Sequence, residues 1–475
     1  MNIPRNYGWA LAALASLVVA ACGGGSGGEP VAGIDRGGKT IAQGPINGFG
    51  SVIVNGVRFS TTGATITIDD QPGTESDLRV GQVVRVEGTV DAGGTTGTAS
   101  RISFNDEVEG PIQAIDLETL RLLVLGRTVQ VGPGTSFDDS IVPRALDGLG
   151  VGQRVEVSGL VAADGVIAAT RIERKAAAAT VEVKGVVESV DTAARRLRID
   201  QLQVDYSGAT LSGFATGQPA NGDLVEAFGA LNGAGVLAAT RLERRSSSLP
   251  GTTSDKAELE GLVTRFASTA DFDVAGQRVT ASATTRYEGG SAADLRLDAN
   301  VEVEGGFDAT GRIVATKIEF RRASDVEFSG PVDSVNAAGG SLVVLGTTIR
   351  TNSLTRFEDH SAADVERFSL ADLRVGDYVE VRVYRDGTGL VATLLERDDP
   401  ESGVELKGLA TDVAPPNLRV AGIAVTTDGQ TEFRDKNGVS ISAAAFFAAA
   451  SGREVKVRGT MVGNAVLAER AELED

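Results

Sequence analysis

Carboxylates are the chemically useful groups that this chain repeats in register. A glutamate recurs in an E-x-x-G phrase at Glu107, Glu182, Glu258, Glu327 and Glu405. Another ends an A-T-R-I-E-like phrase at Glu173, Glu243, Glu319, Glu396 and Glu472. Paired acids at a set separation can hold Ca²⁺, bind a cationic polymer or cleave a glycosidic bond. In a V-E-V run, however, the two-residue period turns the valines inward and the glutamates toward water. The expected role is therefore a solvated face whose charge also keeps sheet edges from aggregating. Other reactive parts are scarce: one histidine, His360, one cysteine, Cys22, no G-x-S-x-G and no H-E-x-x-H. No catalytic, cofactor-binding or metal residue is assigned on this basis, and no cofactor is expected. His360, in RFEDHSAAD beside Glu358 and Asp359, reads as part of a polar loop and helix cap rather than a cation site. GIDRGGKT, from Gly33 to Thr40, satisfies the P-loop spacing G-x-x-x-x-G-K-T. A working P-loop follows a buried strand and opens a helix, whereas glycine spacer precedes this one and IAQGPINGFG, with Pro45, follows it. No nucleotide is expected to bind.

The elements that position these groups are small. The 475 residues would divide into roughly three domains of about 150 residues, but an internal repeat overrides that count. VGQRVEVSGLVAADGVIAATRIE, from Val151, returns as DANVEVEGGFDATGRIVATKIE from Asp298 and VGDYVEVRVYRDGTGLVATLLE from Val375. Hydrophobic residues make up 42%, enough for cores, while 5% aromatics and 60 glycines point to turn-rich units. With 64 acidic against 45 basic residues the net charge is −19, a field that repels phosphate backbones, so nucleic acid is not an expected partner.

The first 22 residues, MNIPRNYGWALAALASLVVAAC, carry one basic residue, Arg5, and an apolar run from Trp9 to Ala21 too short to span a bilayer as a helix. Val19-Ala20-Ala21-Cys22 resembles the lipobox of bacterial lipoproteins, which implies lipidation of Cys22 and a membrane contact through it. Residues 23–41 read as a flexible Gly/Ser tether. Gly23, lacking the acidic retention signal of inner-membrane lipoproteins, favours the outer membrane by the same resemblance.

Six units follow, at 42–105, 106–176, 180–245, 257–322, 325–398 and 403–475, with a Ser/Thr/Pro/Gly linker at 246–256 that divides the array three and three. Each carries the strand with E-x-x-G, a hairpin, a connector and two closing strands. Val54-Asn55-Gly56-Val57 is the strongest turn, since Asn-Gly suits the positive φ values of type I′. The connectors SAADVERFSLADL and SISAAAFFAAA look helical. This order predicts an all-β tandem array of six small OB-like five-stranded barrels, with small β-sandwiches as the alternative. In a barrel the first strand must bend between two sheets, and the E-x-x-G glycines, such as Gly185 and Gly261, fit that bend through backbone freedom and lack of bulk.

GFGSVIVNGVRF, 48–59, with the later G-x-x-V-E-V-x-G and A-T-R-I-E phrases, resembles the DUF5666 repeat family of bacterial envelope lipoproteins, whose function is unknown. The resemblance implies a location and an architecture and no activity. The expectation is a non-catalytic envelope lipoprotein serving as an extended spacer or as a binding module for an unknown envelope protein or polymer. Oligosaccharide binding is the second reading, weakened because the only tryptophan, Trp9, lies in the signal peptide. A carboxylate-based enzyme on envelope glycans is the third.

Overall fold

The computed structural model describes residues 38–474. Cys22, the expected signal peptide, most of the expected tether and Gly33–Gly37 of GIDRGGKT lie outside them. The described chain is built from six OB-like barrels. In barrel four, the first strand (Lys256–Ser268) pairs antiparallel with the second (Asp271–Val274) and the fourth (Asn300–Phe307). The third (Gln277–Thr280) joins the fifth (Ile313–Phe320) in parallel, and the fifth closes antiparallel on the fourth. The sheet order is thus one-two-three-five-four-one, the closed Greek-key order of the OB fold, and a sandwich is excluded.

Each first strand changes partner just past its E-x-x-G glycine. Gly261 faces the fourth strand and Val263 faces the second; Gly330 and Val332, and Gly408 and Ala410, repeat the switch. These glycines do not have positive φ, so backbone freedom is not their reason. Close approach is: a Cβ on Gly110 would meet the Leu125 side chain at 2.5 Å, and one on Gly261 would meet the Ala275 Cβ at 2.9 Å. Leu125 and Ala275 are the first residues of the hairpin turns, held at φ +48° in both cases, with Gly126 and Gly276 next at φ +74° and +77°. The type I′ turn therefore folds its first side chain onto the bend. A second irregularity, a bulge in the fourth strand, falls at Gly88, Gly159, Gly229, Gly305 and Gly459, and at Val383 in barrel five.

Two connectors differ from each other. SISAAAFFAAA contains a helix, Ala443–Ala450, whose Ser442 hydroxyl accepts from the Ala445 N–H and whose Phe446 and Phe447 pack on Phe433. SAADVERFSLADL forms turns instead of the expected helix. Asp359 draws in the backbone N–H groups of Ser361 and Val365, and Asp364 takes φ +43°, so side-chain hydrogen bonds outcompete helix propagation.

The barrels are joined in pairs through their first strands. Barrel two meets barrel three antiparallel (Val108 opposite Val183), and barrel five meets barrel six antiparallel (Phe328 opposite Leu406). Barrel one meets barrel four in parallel, with Ile41 opposite Ala257 across more than 200 residues of sequence. The array is therefore not divided three and three. The expected linker 246–256 packs on barrel four, with Leu249 buried in its core. The cores of barrels two and three merge, as do those of five and six, and Ile41 of barrel one belongs to the core of barrel four. Further bonds tie the pairs together: the Val83 N–H donates to Ser158 Oγ at 2.8 Å, and Arg382 donates to the carbonyls of Pro133 and Thr135 at 3.3 Å.

Candidate functional site

The strand alternation places valines and glutamates on opposite faces as expected, but the glutamate face is covered by a neighbouring barrel. None of the ten recurrent glutamates is exposed, and Glu258 is fully buried. The solvated-face expectation is corrected for that reason: a strand's period says which residues share a face and nothing about what covers it. Pairing of first strands builds a row in which Glu173 stands opposite Glu156, Glu156 opposite Glu109, and Glu109 opposite Glu182. Like charges directly opposite each other destabilise a sheet.

Barrel one closes over this row. Its hairpin turn at Asp69-Asp70, with φ +46° and +62°, and Asp106, just past its last strand (Thr96–Phe104), bring three more carboxylates to the junction of barrels one, two and three. One carboxylate oxygen each from Asp69, Asp106 and Glu182 lies within 4.8 Å of the other two, and the same holds for Asp106, Glu109 and Glu156. Asp106 belongs to both groups, is 0% exposed, and neither of its carboxylate oxygens has a hydrogen-bond partner. Arg154 neutralises Glu109 at 2.7 Å and Lys175 neutralises Glu156 at 2.6 Å. Among the described residues, no Lys or Arg nitrogen lies within 4.0 Å of Asp69, Asp106 or Glu182. Burial, with Glu182 and Glu156 nearby, pushes Asp106 well above the usual carboxylate range. Burial and Glu226 lift Glu182 to about 10, and burial lifts Asp69 to about 6.

Barrel four resolves the same crowding from within. Its row of Glu319, Glu302 and Glu260, with Glu304 and Glu258 beside it, receives Lys317, whose ammonium is 2.5 Å from Glu304, 3.2 Å from Glu319 and 3.5 Å from Glu302. Arg321 adds bonds to Glu260 and Glu319 at 3.0 Å. The residues in the same phrase of barrels two and three are Arg171 and Arg241, and neither pairs with Asp69, Asp106 or Glu182. Arg171 bonds Glu173 at 2.6 Å and also reaches Glu358 of barrel five and the Val80 carbonyl; Arg241 lies over the Phe228 ring at 3.6 Å, 3.6 Å from Glu243 and 4.0 Å from Asp70.

His360 lies in a second cluster, within an open cleft of about 290 Å³ where barrels one, two and five meet. Its Nδ1 bonds Asp139 and its Nε2 lies 3.3 Å from Glu396. Burial opposes the imidazolium, but the bonds to Asp139 and Glu396 outweigh it and raise His360 to about 10. Burial likewise opposes ionisation of Glu396, yet Arg382 and His360 hold it down at about 2. His360 lies in a loop just past the strand Arg356–Asp359, as expected, but turns rather than a helix follow it and its side chain is buried in an ion pair between barrels. In GIDRGGKT, Lys39 and Thr40 sit inside the strand Gly38–Gly48, whose first four residues were assigned to the tether, and the Lys39 ammonium pairs with Asp255 at 3.2 Å. Lys39 thus lies in a paired strand rather than at the start of a helix, where the lysine of a P-loop stands.

Sequence reasoning found the recurrent glutamates, but it missed Asp69 and Asp106, which bear no motif, and Glu226, the counterpart of Glu156 in the V-E phrase of barrel three. The one signal for Asp106 is its position at the link between two units. Six closed Greek-key barrels in tandem define the chain as an OB-like repeat protein. It belongs to the DUF5666 family: the model of that domain of unknown function matches residues 40–103, 109–173, 184–243, 260–319, 329–396 and 407–472. No curated protein matches the chain. Among solved structures, one titled drosophila Unr CSD456 is 16% identical and covers 45% of this chain and 95% of its own, with a TM-score of 0.11, a likeness that carries no argument.

Proposed function

We propose that the chain is a non-catalytic lipoprotein of the bacterial cell envelope, anchored to the outer membrane through Cys22, whose fused barrels form a binding module for an envelope protein or polymer. The observation that supports this reading most is that the one histidine is committed to an ion pair that holds barrels two and five together. An imidazole that stays protonated to about pH 10 is no general base at neutral pH, and Glu396 is its ionised partner. Joining of the barrels favours binding over the role of extended spacer. The cleft beside His360, with Glu75, Arg79, Asp138, Asp364, Glu366 and Arg367 on its walls, suits a polar partner carrying positive charge. Oligosaccharide binding ranks below it, because no aromatic side chain among the described residues is exposed for a sugar face to stack on.

Labelled fatty acid should enter the wild-type chain and not Cys22→Ser; incorporation into Cys22→Ser would refute the anchor. The detergent-purified chain should co-sediment with isolated envelope polymers or membranes, and Asp364→Lys with Glu366→Lys should weaken that retention. Cleavage of any of those polymers by the chain would overturn the non-catalytic reading.

A further inference from the structure

Three barrels bring their acids to one buried point, and among the described residues no cation does for Asp69, Asp106 and Glu182 what Lys317 does in barrel four. Arg171 and Arg241, which stand at the position of Lys317, bind Glu173 and Glu358, and Glu243, Asp70 and the Phe228 ring, and Arg245 binds Asp70 and Glu226. Asp106 has both carboxylate oxygens unbonded in a fully buried setting, and one oxygen each of Asp69 and Glu182 is likewise buried without a partner. A buried polar atom without a partner is destabilising, more so when charged, so several at one point that no cation reaches call for something that binds them.

The spacing identifies what would bind. Oxygens bound to one Ca²⁺ at about 2.3–2.6 Å lie no more than about 5 Å apart, and the groups Asp69–Asp106–Glu182 and Asp106–Glu109–Glu156 both meet 4.8 Å. The donor set is oxygen only, and among the described residues no histidine or cysteine stands in either group, which disfavours zinc, copper and nickel. Carboxylates from three separately folded barrels make an irregular cage, suited to the flexible coordination of Ca²⁺ more than to the strict octahedron of Mg²⁺.

We propose that the junction of barrels one, two and three is a buried Ca²⁺ site, with Asp69, Asp106 and Glu182 as its ligands. The ion stands in for the ammonium of Lys317 and makes docking of barrel one onto the barrel two–three pair dependent on metal. Glu258, the counterpart of Glu182 in barrel four, is not assigned an ion, because Lys317 and Arg321 already occupy its surroundings. The inference does not rest on the envelope location proposed above.

The test uses the full chain, purified in detergent and stripped with a chelator, with Ca²⁺, Mg²⁺ and Zn²⁺ added singly. Calorimetry should give saturable Ca²⁺ binding, tighter than Mg²⁺, and thermal unfolding should shift upward with Ca²⁺. Asp106→Asn should lower Ca²⁺ affinity by more than the about 10- to 100-fold that loss of an outer-shell partner costs. In chelator the same variant should melt at or above the wild-type temperature, since it replaces a buried acid that has no counter-charge with a neutral amide of the same shape. That result also shows that it folds. Glu182→Gln should behave alike, whereas the exposed Glu401→Gln should leave affinity unchanged. The proposal is overturned if the wild-type chain melts at one temperature in chelator and in Ca²⁺, or if Asp106→Asn and Glu182→Gln keep the wild-type affinity. Preference for Zn²⁺ over Ca²⁺ would overturn the assignment of the ion.

Discussion

Replacing Gly110 with alanine tests why the first strand of each barrel carries a glycine at its bend. The added methyl would lie 2.5 Å from Leu125 Cγ and 2.6 and 2.9 Å from its two methyl carbons, so the side chain cannot simply rotate its tip away. Leu125 is fully buried and its backbone is fixed in the turn at φ +48°. Overpacking of this kind costs about 1–3 kcal/mol. For a cooperative block of 150–250 residues that corresponds to a fall in Tm of about 2–4 °C per kcal/mol. Leu125→Ala alone should cost about 2–5 kcal/mol through its cavity. Because the new methyl fills part of that cavity, the double variant should lose less than the sum, by a coupling of about 0.5–3 kcal/mol. Gly93→Ala, where an added Cβ meets nothing within 4 Å, is the control and should stay within about 0.5 kcal/mol of wild type. The assay is thermal or urea unfolding of the wild type and the four variants at fixed Ca²⁺. A wild-type midpoint for Gly110→Ala, or strict additivity in the double variant, refutes the close-approach explanation.

Three further outcomes are expected. His360 is the only histidine, so its ring signals in NMR are unambiguous; they should report an imidazolium through pH 8 with a midpoint near 10, whereas a midpoint near the free value of about 6.5 would dismiss the buried ion pair. Because its folded pKa is raised, its stabilisation is complete below about pH 6.5 and disappears as pH rises through about 10. Glu396→Gln leaves His360 and the nearly buried Arg382 short of a partner and should cost about 3–5 kcal/mol, while Glu401→Gln, whose partner Arg458 is half exposed, should cost at most about 1 kcal/mol; equal losses would contradict the burial argument. Calorimetry should detect no ATP binding by the full chain despite GIDRGGKT, and a signal abolished by Lys39→Ala would overturn that.

Much of each barrel was legible in the sequence because its cues are local. Turn residues with positive φ, such as Asn55-Gly56, mark the hairpins, and period-two alternation sorts valines from glutamates. Gly110, Gly261, Gly330 and Gly408 mark the bend, although crowding rather than backbone freedom explains them. The pairing of barrels was not legible. All six first strands carry similar edges, so nothing local tells the strand at Ile41 to choose the one at Ala257 over those at Val108 or Val183. The fate of the glutamates depends on that choice, since the partner barrel is what buries them. Asp69 and Asp106 escaped notice for a related reason: a turn aspartate and a linker aspartate become a site only when three barrels meet.

Pairing of barrels one and four across the chain is central to the architecture and its least local contact, and two cysteines can test it directly. In a Cys22→Ser background, Lys39→Cys and Asp255→Cys would be the only two thiols, at positions whose side chains meet at 3.2 Å beside the parallel pairing of Thr40 with Lys256. Under mild oxidation, or with the shortest bis-thiol cross-linker, mass spectrometry of the monomer should recover one peptide joining residue 39 to residue 255. Two free thiols in a folded monomer, or a link formed only between molecules, would contradict the paired-barrel architecture.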